Sequence, residues 1–527
     1  VTPAALLALA VALAAPRGTA APAATPAAPP PVQAPNPVSF EASLLFPADE
    51  LIKRGDLAGA ADALMPLVER QDATGAEALA RFGRILDDWD KDHAALLAFS
   101  KAFKLAGSLS YPLTDRVDAL KRSLDLAEKT GDVWDIAAAM AKNPGLIAIE
   151  EHRPRLALIL GRYHARNADW GNALGMLALI PAGAPQQADG ESLRGIALAQ
   201  QGKFTDAIAP LVTARELGVR KKLGGRFEDV QNLNLGRVYY GAGNWNQAAA
   251  HLTKVNRGSE LWPEAQFERA WAHFRGDDYA GAMGVLETHD SPFFADFYVP
   301  EAQLLRAFSL FQLCMFGEVN KEIEEFEQRY QPILDALDRD LSGLSAVDAF
   351  AVRQDGSTAA AKIPAPLRRL FDADERLGAA ERALPEIARE ITELGGTGRP
   401  AGAMAKGWLE GHTKHIRESE GKRVLERLTS AQVDLRDMLQ SLKLTRIDVL
   451  NLEARLYGRA AQNGTPLPTP ASNDRRRRPE RKVRRPERTK LVWPFEGEFW
   501  ADELGWYRMV GKADCSADLG RDVGAGR

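Results

Sequence analysis

Beyond residue 40 the apolar positions fall three and four apart, the spacing of helices that bury one face, and one short pattern then returns along the chain. Counted from Gly236, the residues 3, 7, 9, 12 and 16 positions on are Tyr239, Gly243, Trp245, Ala248 and Leu252. From Gly195 the same offsets give Leu198, Gly202, Phe204, Ala207 and Leu211, and from Gly161 they give His164, Ala168, Trp170, Ala173 and Leu177. Ala270 leads to His273, Asp277, Tyr279, Ala282 and Leu286; Ala307 leads to Leu310, Cys314, Phe316, Val319 and Ile323. Three weaker copies precede them, anchored at Ala48, Gly83 and Leu124. The anchors are 35, 41, 37, 34, 41, 34 and 37 residues apart. Eight copies in register predict eight helix pairs.

Each position has a physical reason. A small anchor fits where two helices approach too closely for a larger side chain. Gly55, Gly131, Gly202 and Gly243 end a first helix where a positive φ is required. The aromatic that opens the second helix fills the gap beside the turn. The alanine three residues later allows close packing, and the offset-16 residue closes the core.

This order of small, large, turn glycine, aromatic, alanine and large apolar residue resembles the tetratricopeptide (TPR) repeat over residues 39–331. The resemblance implies an all-α fold, a right-handed TPR-like α-solenoid of about eight helix pairs. It also implies that the first helix of each pair lines a concave face, with the residues one and four after the anchor pointing into it. Those positions hold Arg162, Arg237, Tyr240, Trp271, Phe274, Phe308 and Phe311. They form a candidate groove for a peptide with apolar anchors and some acidic character; the competing expectation is that the rings pack between helices.

Past residue 331 the period changes. Residues 332–364 read as a connector with a break around Gly356–Lys362, and 365–462 as a long helical hairpin or coiled coil. Its first helix is expected over Leu367–Leu394, ending at Gly395 and Gly396, and its second over about Gly402–Ala461. Leu428, Ala431, Leu435, Met438, Leu442, Thr445, Val449, Leu452 and Leu456 alternate three and four apart, a heptad seam. The preceding helix is its expected partner, and self-dimerisation the alternative, leaving homo-oligomerisation open.

Charge changes the picture only locally. The chain's formal net charge is −4, yet Asn473–Lys490 holds ten Lys/Arg against three Asp/Glu. With Pro479 and Pro486 inside it, residues 463–490 read as a basic linker, able to touch a membrane surface or cell wall, or simply a solvated spacer. Residues 491–515 then turn aromatic: Trp493, Phe495, Trp500, Trp506 and Tyr507 form a candidate docking box, since such rings cost solubility unless buried. The block WPFEGEFWADELGWY is similar to the C-terminal box of exported TPR proteins of deltaproteobacteria such as myxobacteria, including those tied to gliding motility. Docking on the chain's own hairpin or on a partner are both open.

At the other end, Ala4–Ala15 is a twelve-residue apolar run, the length of a signal-peptide core though without a preceding basic residue. Residues 1–23 read as a signal peptide and 24–38 as an Ala/Pro linker, which predicts a periplasmic or otherwise exported protein. The two cysteines, Cys314 and Cys515, have no metal or redox spacing.

Chemistry is not indicated. Gly395-Gly396-Thr397-Gly398 lacks the Gly-Lys-Ser/Thr end of a phosphate loop, and His412 with His415 lacks a third ligand, so that face is expected to be exposed and polar. No nucleophile elbow or zinc-protease motif occurs. The expectation is therefore a non-enzymatic scaffold that needs no cofactor or metal, does not bind nucleic acid, and assembles protein partners of the cell envelope, for gliding motility or transport. The alternatives are a structural oligomer built through the seam, and a helical-repeat protein that binds or processes peptidoglycan or polysaccharide.

Overall fold

A computed structural model describes residues 41–294, 298–313, 315–372, 374–463, 480–483, 499–500 and 503–510, all in the unit Phe40–Arg527. Its first sixteen α-helices make eight consecutive pairs. These are α1 (Ala42–Lys53) with α2 (Leu57–Val68), α3 (Ala73–Asp88) with α4 (Asp92–Ser108), and α5 (Arg116–Thr130) with α6 (Trp134–Met140). Next come α7 (Arg153–Arg166) with α8 (Trp170–Leu177), α9 (Gln187–Gln200) with α10 (Phe204–Lys221), and α11 (Gly225–Gly241) with α12 (Trp245–Leu252). The array ends with α13 (Trp262–Arg275) and α14 (Tyr279–Leu286), then α15 (Pro300–Gln312) and α16 (Phe316–Asp340). Each anchor lies in a first helix, and Trp170, Phe204, Trp245, Tyr279 and Phe316 are each the first residue of a second one. The array is an all-α solenoid.

The nesting follows the spacing. A Cβ added at Gly161 would sit 2.7 Å from Leu177 Cδ2, one at Gly195 2.5 Å from Leu211 Cγ, and one at Gly236 2.5 Å from Leu252 Cγ. The anchor thus faces the residue sixteen positions on. Where the anchor is alanine, at Ala270 and Ala307, both it and its partner, Leu286 or Ile323, are buried. The offset-7 residue ends the first helix in a left-handed conformation: Gly202 has φ 75° and Gly243 φ 76°, and Asp90, Ala168 and Asp277 accept φ of 56°, 55° and 59° without being glycine. Offset 8 carries a signal the repeat pattern did not use. Asp56, Asp169, Asn244 and Asp278 cap the second helix, accepting from Gly59, Asn172, Gln247 and Gly281 N–H groups at 2.8, 3.3, 3.3 and 3.0 Å.

Two boundaries differ from expectation. The array does not stop at residue 331, because Ile333, Leu334 and Leu337 keep the apolar stripe of α16 buried through Leu337. Short helices follow: α17 (Ala346–Phe350), α18 (Thr358–Lys362) and α19 (Ala365–Arg368). The hairpin's first helix, α20 (Glu375–Gly396), starts after residue 367 because Asp374 caps it at the Leu377 N–H, 3.0 Å away. Its second, α21 (Pro400–Asn463), has 64 residues, about 96 Å of helix.

The seam has a different partner from the one expected. α20 lies antiparallel to the start of α21, joined by Arg376–Glu420 and by Arg423–Asp374 at 2.6 Å, and ends before the seam begins. Leu428, Leu435, Met438, Leu442 and Val449 instead share a buried cluster with Phe326, Ile333 and Leu337 of α16 and Phe350 of α17. Arg436 and Gln432 reach Asp338 at 2.7 and 2.6 Å while Arg446 lies 3.8 Å from Glu327, so α16 and α21 run antiparallel. Gly421 is needed here, since a Cβ would collide with the Ala346 carbonyl oxygen.

Two short strands lie outside the helices, in segments not expected to be helical. β1 (Glu480–Val483), inside the stretch read as a basic linker, pairs antiparallel with β2 (Tyr507–Val510), Arg481 opposite Met509. The signal-like run, the Ala/Pro linker, the rest of the basic stretch, and Trp493 and Phe495 lie outside the described residues. Among the described residues no helix is long and apolar enough to cross a membrane.

Gly236→Ala should cost about 1–3 kcal/mol by overpacking against Leu252, whereas Gly171→Ala, with open space at its Cβ, should be neutral or stabilising; thermal melting distinguishes them. Equal effects would contradict the nested geometry.

Candidate partner-binding surfaces

The predicted groove residues are spread along α7, α11, α13 and α15 and differ in how free they are. Arg162 is exposed, 3.6 Å from Asp189 of the next pair. Arg237 is half-buried and reaches Glu264 and Glu268 of the following pair, both at 2.6 Å, which raises its pKa despite burial. Tyr240 packs edge-on against Trp245, Trp271 against Phe274, and Phe274 against Tyr279. Phe308 and Phe311 lie at the edge of the cluster that holds the seam. All five rings are half-buried: each has one face packed within its own part of the array and part of its surface open.

The aromatic tail docks on the seventh pair of its own chain. Leu504 and Tyr507 join Trp262 and Ala265 in one cluster, and Met509 joins Met283 in another. Backbone polar groups of the tail are met one by one. Arg257 donates to the Leu504 carbonyl at 2.6 Å and Arg269 to that of Gly505 at 2.9 Å, and Thr288 Oγ1 accepts from the Gly505 N–H at 2.7 Å. β2 lies so close to α14 that a Cβ on Gly284 would strike the Tyr507 carbonyl oxygen. Arg508 pairs with Asp278 at 2.8 Å. The predicted tryptophans divide. Trp506 lies 5.7 Å from the Arg269 guanidinium, but Trp500 is 52% exposed, so the buried anchors are Leu504, Tyr507 and Met509. The expected alternatives, hairpin or partner, missed this surface.

The hairpin returns to the opposite end of the array. Glu390 accepts from the His93 and Ala94 N–H groups at 3.0 and 3.1 Å. It caps α4, whose own capping position holds Lys91, which makes no side-chain cap. Lys91 pairs with Glu393 at 2.5 Å and Arg399 with Asp62 at 3.0 Å. His412 is buried, not exposed as expected. It hydrogen-bonds Asp132 at 2.6 Å, with Asp135 3.6 Å away, while His415 is exposed. Burial pulls the His412 pKa down, but Asp132 outweighs it and the net shift is upward. For Asp132, burial raises the pKa, but the His412 bond together with the charges of His412, His93 and His415 lowers it below its ordinary value.

Hairpin and tail therefore share one address: the turn edge of a pair, at or beside offset 8. Pattern matching missed it, because Lys91 makes no side-chain cap and its substitute, Glu390, is about 300 residues away in sequence.

A third polar cluster is self-contained. Arg306, 7% exposed, lies 3.2 Å from Glu322 and 3.7 Å from Glu287, and also pairs with Asp290. Burial pushes the Glu322 carboxyl up to about 7. Asp290, Arg306 and Glu322 line a cavity of about 190 Å³, with the guanidinium paired to both carboxylates. Among the described residues no group of three or more His, Cys, Asp or Glu could hold a metal ion.

Comparison with known proteins adds little beyond this geometry. No family model matches the chain, and no curated protein matches it. Among solved structures it is similar to a chain of the APC/C hetero-tetramer Cut9–Hcn1, at 15% identity and a TM-score of 0.21 over 76% of this chain and 83% of that one. A likeness that loose carries no argument. The described helices themselves show an all-α array of stacked pairs. Arrays of this build present extended surfaces to other proteins.

The His412–Asp132 pair sets a pH window for hairpin docking. His412's contribution is full below the ordinary histidine value and fades as pH rises through its raised folded pKa; that of Asp132 fades as pH falls through its lowered one. Asp132→Asn should therefore destabilise most in mildly acidic solution, below the ordinary histidine value of about 6.5, and progressively less as pH rises above it. Melting curves from about pH 6 to 9 check this, and a constant difference would contradict it. Gly284→Ala should release the tail, read as faster proteolytic cleavage within residues 499–510. Unchanged cleavage would mean that the strand is not seated on α14.

Proposed function

We propose that this chain is a non-enzymatic scaffold of the bacterial periplasm that assembles a cell-envelope complex, with surface-motility or transport machinery as the class to test first. The observation that carries the scaffold reading is the array: eight pairs whose first helices carry half-buried rings from Tyr240 through Phe311. Such rings bind by completing a burial already half made, which suits apolar anchors of a partner's peptide. The periplasmic and motility readings rest on the sequence alone, on the apolar run Ala4–Ala15 and on the aromatic tail.

Two details bear on the rivals. The seam that would build an oligomer is already buried against α16 and α17, so self-association through it would require unfolding part of the chain. The acidic groups around Arg306 lie against its guanidinium instead of standing free across a cleft, as paired carboxylates for sugar hydrolysis would.

Affinity capture from envelope extracts, with the bound proteins identified, should lose specific partners when Trp271→Ala and Phe308→Ala are combined, while the melt moves by only a few degrees. Unchanged capture would remove the groove. A collapsed melt would show that these rings are core.

A further inference from the structure

A recess of about 440 Å³ lies where the hairpin meets the first three pairs, lined by Val68, Glu69, Gln71, Leu79, Lys101, Lys104, Leu105, Ser108, Lys142, Met404 and Trp408. It is composite. Lys101 and Lys104 come from α4 and Lys142 follows α6, while Met404 and Trp408 come from α21. The Trp408 ring is fixed edge-on to the buried Phe82 at 5.7 Å, and Lys101 Nζ stands 5.0 Å from its centroid. Elsewhere the hairpin's contacts match charge with charge, as at Asp62, Lys91 and Asp132. Here three exposed ammonium groups gather, and among the described residues none has a carboxylate within ion-pair reach. Glu69 on the rim is the one carboxylate in the lining. Burial first, and then the charge of Lys104, hold the Lys101 ammonium below the ordinary lysine value.

Like charges collected beside low-dielectric walls favour an anion. The half-buried Leu105, Met404 and Trp408 also offer apolar area, which a bare phosphate chain would leave unused. Lysines act as point charges without the planar fork that reads phosphate geometry. We propose that this recess binds an acidic peptide segment carrying an apolar residue, the carboxylates on Lys101, Lys104 and Lys142 and the apolar side chain against Met404 and Trp408. The proposal rests on the scaffold reading but uses a different surface from the groove, so either can fail alone. Because one wall belongs to the hairpin, the site exists only while the hairpin is docked, and binding there stabilises the docked state.

The test uses the full chain and a fluorescein-labelled octapeptide alternating glutamate and leucine, followed by anisotropy. A glutamine–leucine peptide of the same order serves as control. The glutamate peptide should bind, and weaken as salt rises from about 50 to 300 mM. Its affinity should fall at least tenfold in the Lys101→Gln/Lys104→Gln/Lys142→Gln variant, whose exposed positions leave the melt unchanged, and stay within about threefold in the matching Lys→Arg variant. Trp408→Leu should weaken it severalfold. Absence of binding, equal binding of the glutamine peptide, or undiminished affinity in the glutamine triple variant overturns the proposal. So does binding of inorganic polyphosphate where the glutamate peptide fails, which would assign a phosphate-bearing polymer instead.

Discussion

The structure depends on a contact repeated in seven of the eight pairs, Leu124 being the exception: a residue without a side chain, or with only a methyl, pressed against the large apolar residue sixteen positions later. At Gly161, Gly195 and Gly236 that contact leaves no room for a further carbon. It brings the two helices of a pair closer than ordinary side chains allow, and the short second helices α8 and α12 are then buried through few residues: Ala173 and Leu177, and Ala248, His251 and Leu252. A pair so short cannot bury its remaining apolar surface alone. It needs neighbours, which makes an array the natural product of this spacing.

Arrays of stacked pairs have two open ends and a long turn edge, and here the C-terminal third of the chain occupies both. The hairpin caps α4 through Glu390 and holds Asp132 through His412. The seam covers α16 of the last pair, and the tail takes Asp278 on the seventh. One helix of 64 residues thus connects the early pairs with the last. At the hairpin's far end Ile387, Leu394, Ala405 and Leu409 are buried against the early pairs, and the His412–Asp132 bond beside them makes that docking respond to pH.

What could be read from residues alone divides along a physical line. The eight pairs were legible because each offset obeys a local steric rule, and a rule repeated eight times is hard to mimic. Partner choice was not. The heptad stripe from Leu428 to Val449 states that α21 must bury one face, but many apolar surfaces satisfy that demand. α16 does so because it runs on past Tyr330 to Asp340, with its stripe intact through Leu337. The tail's aromatic density signalled burial, yet the smaller Leu504 and Met509 are buried with Tyr507 while Trp500 is not, since fit to α14 decides, not ring size. His412 looked like a solvated residue because its partner, Asp132, is 280 positions away.

The most direct test of this account is a double-mutant cycle on one nested contact. Gly195→Ala alone should destabilise by crowding Leu211, and Leu211→Ala alone by about 2–5 kcal/mol through the cavity it leaves. Combined, the new methyl occupies space that the leucine has vacated, so the double variant should be more stable than the sum of the single losses by on the order of 1 kcal/mol or more. Strict additivity would mean that the two residues do not meet, and would contradict the packing on which the array is built.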